Sequence, residues 1–95
     1  MPAYVIAHIE VLNPKEYETY RAMVPPTIAA FGGKFIARGG KVDVLEGTWQ
    51  PKRLVILEFP DAATARRWYD SPEYAAAKKV RQAHSRGDLD LVEGL

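Results

Sequence analysis

Apolar residues recur along this chain with period two in some stretches and near 3.6 in others, and in one place they run together without a break. That place is Arg53-Leu54-Val55-Ile56-Leu57-Glu58-Phe59: four consecutive aliphatics and then Phe59, with Glu58 set among them and Pro51 and Pro60 outside. A short run of this kind reads as a strand buried on both faces, because a half-exposed strand alternates apolar with polar residues. The helices of a 95-residue chain suffice for one face of a sheet. The pattern therefore predicts that a second copy covers the other face, giving a homodimer.

The remaining elements arrange themselves around this strand. Tyr4 to Leu12 alternates: Val5, Ala7, Ile9 and Val11 make a face free of polar side-chain atoms, suited to helices, while Tyr4, Ile6, His8 and Glu10 make a mixed one. Asn13-Pro14-Lys15-Glu16 predicts a helix start, with Asn13 as N-cap and Glu16 closing a capping box. Tyr17, Tyr20, Val24, Ile28 and Phe31 follow at helical spacing. Pro25-Pro26 predicts a kink or break near Met23, since neither residue can donate to the ladder, and Gly32-Gly33 predicts the helix end. Lys34 to Arg38 and Val42 to Glu46 read as extended runs. Gly39-Gly40 between them suits a bulge in one long strand, with a hairpin there as the alternative, and Gly47 to Pro51 suits the hairpin into the central strand.

Asp61 predicts the cap of a short helix through Ala62, Ala65, Trp68 and Tyr69. Ser71-Pro72-Glu73 predicts a second, carrying Tyr74, Ala77, Val80, Arg81 and His84 and ending near Arg86-Gly87. Asp88 to Glu93 alternates acidic with apolar residues and suits an edge strand. Strand, helix, strand, strand, helix, strand is the order of the ferredoxin-like βαββαβ plait, an α+β fold whose antiparallel sheet carries helices on one face. Two such sheets packed face to face make a dimeric α+β barrel, each chain a single domain over residues 1–95.

Composition removes several function classes. Thirteen basic and twelve acidic residues leave a net charge of +1, with no global field to recruit nucleic acid or an anionic membrane. Cysteine is absent, which excludes a disulfide framework, a thiolate nucleophile and a cysteine-ligated metal, and suits a reducing compartment. Met1 to Ile9 lacks the basic start of a signal peptide, and no apolar run approaches the ~20 residues that span a bilayer, so a cytoplasmic protein is expected. Arg66-Arg67 and Lys78-Lys79-x-Arg81, with Asp61, Asp70 and Glu73 nearby, read as solvated helix surface.

Tyr17-x-x-Tyr20, Gly32-Gly33-Lys34-Phe35, Arg38-Gly39-Gly40, Leu45-Glu46-Gly47-x-Trp49, Glu58-Phe59 and Trp68-Tyr69-x-Ser71-Pro72-x-Tyr74 stand in order and at close spacing. Together they resemble the domain of unknown function family DUF1330 over nearly the whole chain. The resemblance implies membership of the dimeric α+β barrel superfamily, which includes cofactor-free monooxygenases, haem-degrading enzymes and lactone isomerases. It implies a dimer with a cleft between sheet and helices, and no particular substrate.

The candidate chemistry is sparse. His8 stands on a strand face with Glu10 and reads either as a general base or as a structural imidazole at the dimer interface. Arg38 and Glu58 are charges inside apolar strands; Arg38 reads as a clamp on a carboxylate or enolate oxygen with Glu58 orienting it, or the two read as an interface ion pair. A cavity holding both His8 and Arg38 is expected beside Gly39-Gly40, where side-chain bulk is missing. Tyr17, Tyr20, Trp49 and Trp68 read as candidate ligand-binding aromatics, with Trp68 and Tyr74 also suited to the core. His84 lies too far from His8 in the chain for metal-ligand spacing, so neither a metal nor a cofactor is expected. Two functions fit: a homodimeric enzyme acting on a small organic acid or aromatic metabolite by proton transfer or cofactor-free oxidation, or a non-catalytic ligand-binding or stress-associated dimer.

Overall fold

The computed structural model describes residues 1–95. Strand β1 (Ala3–Val11) is followed by helix α1 (Pro14–Ala30), strands β2 (Lys34–Arg38) and β3 (Leu54–Phe59), helices α2 (Ala62–Tyr69) and α3 (Pro72–His84), and strand β4 (Ser85–Glu93). The sheet is antiparallel in the order β2-β3-β1-β4, so the central apolar strand lies between β2 and β1 while the acidic β4 forms an edge. This is the α+β ferredoxin-like arrangement, with its second helix split into α2 and α3.

Alternation on β1 decides which face goes where. Ala3, Val5, Ala7 and Ile9 are buried under the helices, and Val5 joins Leu57, Phe59, Val24, Ile28, Ala65, Trp68, Tyr74 and Ala77 in the core. Trp68 stands at its centre, 4.2 Å from the Tyr74 ring and 5.3 Å from that of Phe59 between centroids. On the opposite face Tyr4, Ile6 and His8 pair with Glu58, Ile56 and Leu54 of β3. All six are only half-buried. Within one chain the central strand is therefore covered on one face alone, as expected of a sheet whose other face is left for a second copy.

The caps follow the sequence at three of four sites. Asp61 accepts from the Thr64 N–H at 2.7 Å and Ser71 from the Tyr74 N–H at 3.2 Å. Gly32 takes φ +71°, and the Gly33 and Gly32 N–H groups donate to the Ile28 and Ala29 carbonyls, closing α1 in a Schellman turn. The fourth site differs: Asn13 occupies the N-cap position but its side chain makes no cap bond, and its Nδ2 lies 3.1 Å from His84 Nδ1 instead.

Four further expectations are corrected. Helix α1 runs through Pro25 and Pro26 without a second helical piece. Pro25 cannot supply the N–H that the Arg21 carbonyl would accept in an α-helix, and Arg38 Nη2 donates to that carbonyl at 3.0 Å. The shift in register on β2 falls between Phe35 and Ala37 rather than at the glycine pair, and Val42 to Glu46 belongs to an irregular connection instead of a strand. With Val44 and Leu45 exposed, that run has no apolar surface to pair against. Helix α3 stops at His84 and β4 begins at once, because Leu12 and Asn13 both donate to the His84 carbonyl and Ser85 Oγ donates back to Arg81.

Candidate functional site

Between α1 and the helix-facing side of the sheet lies a cavity of about 30 Å³. Its walls follow from the two periodicities: β1 supplies Val5, Ala7 and Ile9 at every second residue, and α1 supplies Tyr17, Tyr20, Arg21, Val24 and Ile28 at helical spacing. Sixteen residues line it, twelve of them hydrophobic, and the four others are Arg21, Arg38, Arg53 and Arg81. No carboxylate faces the space. Glu18 touches the set from the exposed side only, its Oε1 accepting from Arg21 Nη1 at 2.9 Å.

The arginines are held in different ways. Arg38 lies over the Phe35 ring at 4.3 Å and donates to the Arg21 carbonyl. The Arg53 guanidinium packs over Gly39, where a Cβ would collide with it, and lies 5.9 Å from the Tyr17 ring centroid. Arg81 is buried and donates from Nε to Tyr74 Oη at 3.3 Å. The Nε atoms of Arg21 and Arg53 are both buried without a protein partner. A buried donor on a cation that lacks an acceptor is costly.

Tyr20 Oη and Tyr74 Oη are 2.9 Å apart. Arg81 can only donate, so the Tyr74 oxygen accepts from it; the Tyr74 O–H can then donate a hydrogen bond to Tyr20 Oη, leaving the Tyr20 O–H free to donate into the cavity. Burial, reinforced by Tyr74, pushes the Tyr20 phenol far above its ordinary value, and burial raises Tyr17 as well. Both are neutral donors rather than bases. The cavity thus offers guanidinium and phenol donors and no proton acceptor of the strength general-base chemistry needs.

The sequence-derived candidates divide between the two faces of the sheet. Tyr17, Tyr20, Trp68 and Arg38 line the cavity. His8, Glu58 and Trp49 do not. Arg38 pairs with Val55, which lines the cavity, whereas His8 pairs with the adjacent Leu54 on the open face, so the expected cavity shared by His8 and Arg38 does not form. His8 instead accepts from the Lys52 N–H at 3.4 Å and meets the Trp49 ring edge-on at 5.6 Å, in a shallow polar recess with Glu10, Gln50, Arg86 and Asp88. Glu58 lies 3.6 Å from Lys34, not beside Arg38, and Arg38 is exposed rather than buried. Gly39 leaves no open space, because Arg53 fills it.

Arg21, Arg53 and Arg81 are the site residues that sequence reasoning missed. Arg81 reads as solvated surface from the basic residues around it, yet its helical spacing from Tyr74 and Ala77 places it on the buried stripe. Arg53 stands just before the central strand, two residues before Val55, and that spacing is the signal for the same sheet face.

Sheet, helices and cavity define a ferredoxin-like α+β protein with a cationic, partly aromatic pocket under its first helix. The chain belongs to the family described as domain of unknown function DUF1330, whose model matches residues 2–95. No curated protein matches it. Among solved structures it is similar to a protein of unknown function from Rhodopseudomonas palustris, at 22% identity and TM-score 0.75, covering 99% of this chain and 82% of that one. A dimeric ferredoxin-like protein of unknown function from Jannaschia sp. CCS1 matches at 17% identity and TM-score 0.73, covering 100% and 99%. SnoaB, a cofactor-independent oxygenase from Streptomyces nogalater, matches at 16% identity and TM-score 0.67, covering 99% and 93%. At these identities the likeness establishes the fold. No helix is long and apolar enough to cross a membrane.

Proposed function

We propose that the protein is a homodimer that binds a small organic anion, an aromatic or other flat carboxylate or enolate, in the cavity between α1 and the sheet. The observation that carries this reading is the lining: arginines as the only residues that are not hydrophobic, with the Nε of Arg21 and of Arg53 buried and unpartnered. Apolar walls with a few convergent polar groups suit a small organic ligand, and planar guanidinium groups suit its oxygens.

Dimerisation by the open sheet face is supported by Ile6, Leu54 and Ile56, left half-buried there, and by the dimeric description of the Jannaschia relative. On this proposal the interface has an apolar centre and buries on the order of 2,000 Å² in total. His8, Glu58 and Lys34 are then interface groups, and Trp49 reaches the partner.

The catalytic form of the reading is cofactor-free oxidation, with dioxygen as the oxidant, of a metabolite that binds already ionised as its enolate, because the cavity holds no base to form one. Donors converging on one ligand oxygen would hold an enolate's charge, the electronic requirement for such chemistry, and SnoaB is described as a cofactor-independent oxygenase. Native mass spectrometry of the protein as purified tests binding directly: a dimer carrying a small acidic molecule supports the proposal. A bound acid released unchanged after incubation in air identifies a binding protein, and release of an oxygenated product identifies an enzyme. A ligand-free monomer that also ignores added benzoate contradicts both.

A further inference from the structure

We propose that Arg38 is the latch of this cavity, exchanging its guanidinium between the Arg21 carbonyl and the carboxylate of a bound organic acid. The inference rests on the anion-binding reading above and narrows the ligand to a monocarboxylate with a flat apolar body. Three observations combine in it. Pro25 has no N–H, so the helix leaves the Arg21 carbonyl without its donor from within α1, and Arg38 Nη2 takes that place at 3.0 Å. Arg38 has no carboxylate partner and is exposed, resting on Phe35, so nothing but this one neutral acceptor and the ring face holds it. The same side chain lines a cavity of about 30 Å³, enough for a water or two. An aromatic ring needs roughly 150 Å³, so a ring enters only when a wall moves.

The energetics favour the exchange once a carboxylate arrives. A carboxylate adds full opposite charge to the hydrogen bond, which a neutral carbonyl does not, and the fork can make two such bonds in parallel. Arg53 stays on the floor, pinned over Gly39, and Tyr17 and Tyr20 supply apolar wall and donor. Pro25 thereby sets the affinity of a site to which its own ring does not contribute. It keeps Arg38 occupied on α1, and the apparent affinity is lowered by the fraction of time the latch is engaged.

This gives two substitutions opposite signs. Pro25→Ala supplies the missing N–H, so the Arg21 carbonyl no longer depends on Arg38; Arg38→Ala removes the clamp. Calorimetric titration with benzoate, on the wild type, both variants and the double variant, reads the difference. Pro25→Ala should tighten benzoate by about five- to tenfold, and Arg38→Ala should weaken it by about tenfold or more. Thermal midpoints should fall for Arg38→Ala in the wild-type background and stay level when it is added to Pro25→Ala. Arg38→Lys, which keeps the charge and loses the fork, serves if Arg38→Ala does not fold, and should also bind benzoate more weakly. Wild-type binding with unchanged or weaker affinity in Pro25→Ala overturns the latch and leaves the anion site standing. Absence of benzoate binding in all the variants overturns the anion site itself.

Discussion

Trp68 donates from its indole Nε1 to Thr27 Oγ1 at 3.1 Å, fastening α2 to the last turn of α1 just past the proline pair. Thr27 in turn donates to the Val24 carbonyl at 2.7 Å, so one hydroxyl both serves the helix and satisfies a buried indole. Thr27→Val keeps the shape and removes both bonds. It should lower stability by about 1–3 kcal/mol, because the Trp68 N–H is left buried without an acceptor. Denaturant unfolding followed by tryptophan fluorescence measures it; an unchanged midpoint would show the bond to be dispensable.

Gly87 lies within β4 opposite Ile9, with φ +154°, and a Cβ there would collide with the His8 carbonyl. Gly87→Ala should cost about 3 kcal/mol, since the obstacle is backbone and cannot swing away. Hydrogen exchange should show the loss concentrated in the β1–β4 pairing. Uniform protection equal to the wild type would contradict the close approach.

Tyr20 gives the fold an alkaline limit. Burial raises its phenol above the ordinary value of 10.0, so the unfolded chain ionises there first while the folded chain keeps the proton. The stability linked to Tyr20 is full below pH 10 and is lost as pH rises past it, by about 1.4 kcal/mol per pH unit for one such group. Tyr20→Phe should flatten that decline above pH 10 and leave the curve near neutrality parallel to the wild type.

The open sheet face yields a prediction about assembly. Ile56→Lys places a charge at its apolar centre and should convert the proposed dimer to monomer in sedimentation at micromolar concentration, without changing benzoate affinity per chain if the cavity is complete within one subunit. A variant that stays dimeric would move the interface elsewhere.

Much of this architecture is legible from spacing. The alternation of Val5, Ala7 and Ile9, the unbroken Leu54 to Leu57 run and the two caps at Asp61 and Ser71 each follow from a local rule, and the structure keeps them. What escaped is tertiary. The proline pair reads as a break because the donor that replaces the lost N–H sits on Arg38, in another element. Gly39 reads as open space because the guanidinium that fills it comes from the far end of the connection, at Arg53. The candidate site suffered most. His8 and Arg38 fall on opposite faces because a shift between Phe35 and Ala37 sets which residues of β2 join the cavity, and no spacing rule places such a shift. Arg81 was hidden by basic neighbours that are themselves surface.

The anion-binding cavity is tested most directly by observing the two orphaned donors. In arginine side-chain ¹H–¹⁵N spectra recorded during a benzoate titration, with benzamide as the neutral control, the Nε–H signals of Arg21 and Arg53 should shift together and saturably with benzoate and stay still with benzamide. Signals of Arg21 and Arg53 that do not move while those of the surface Arg86 drift with salt would contradict the site.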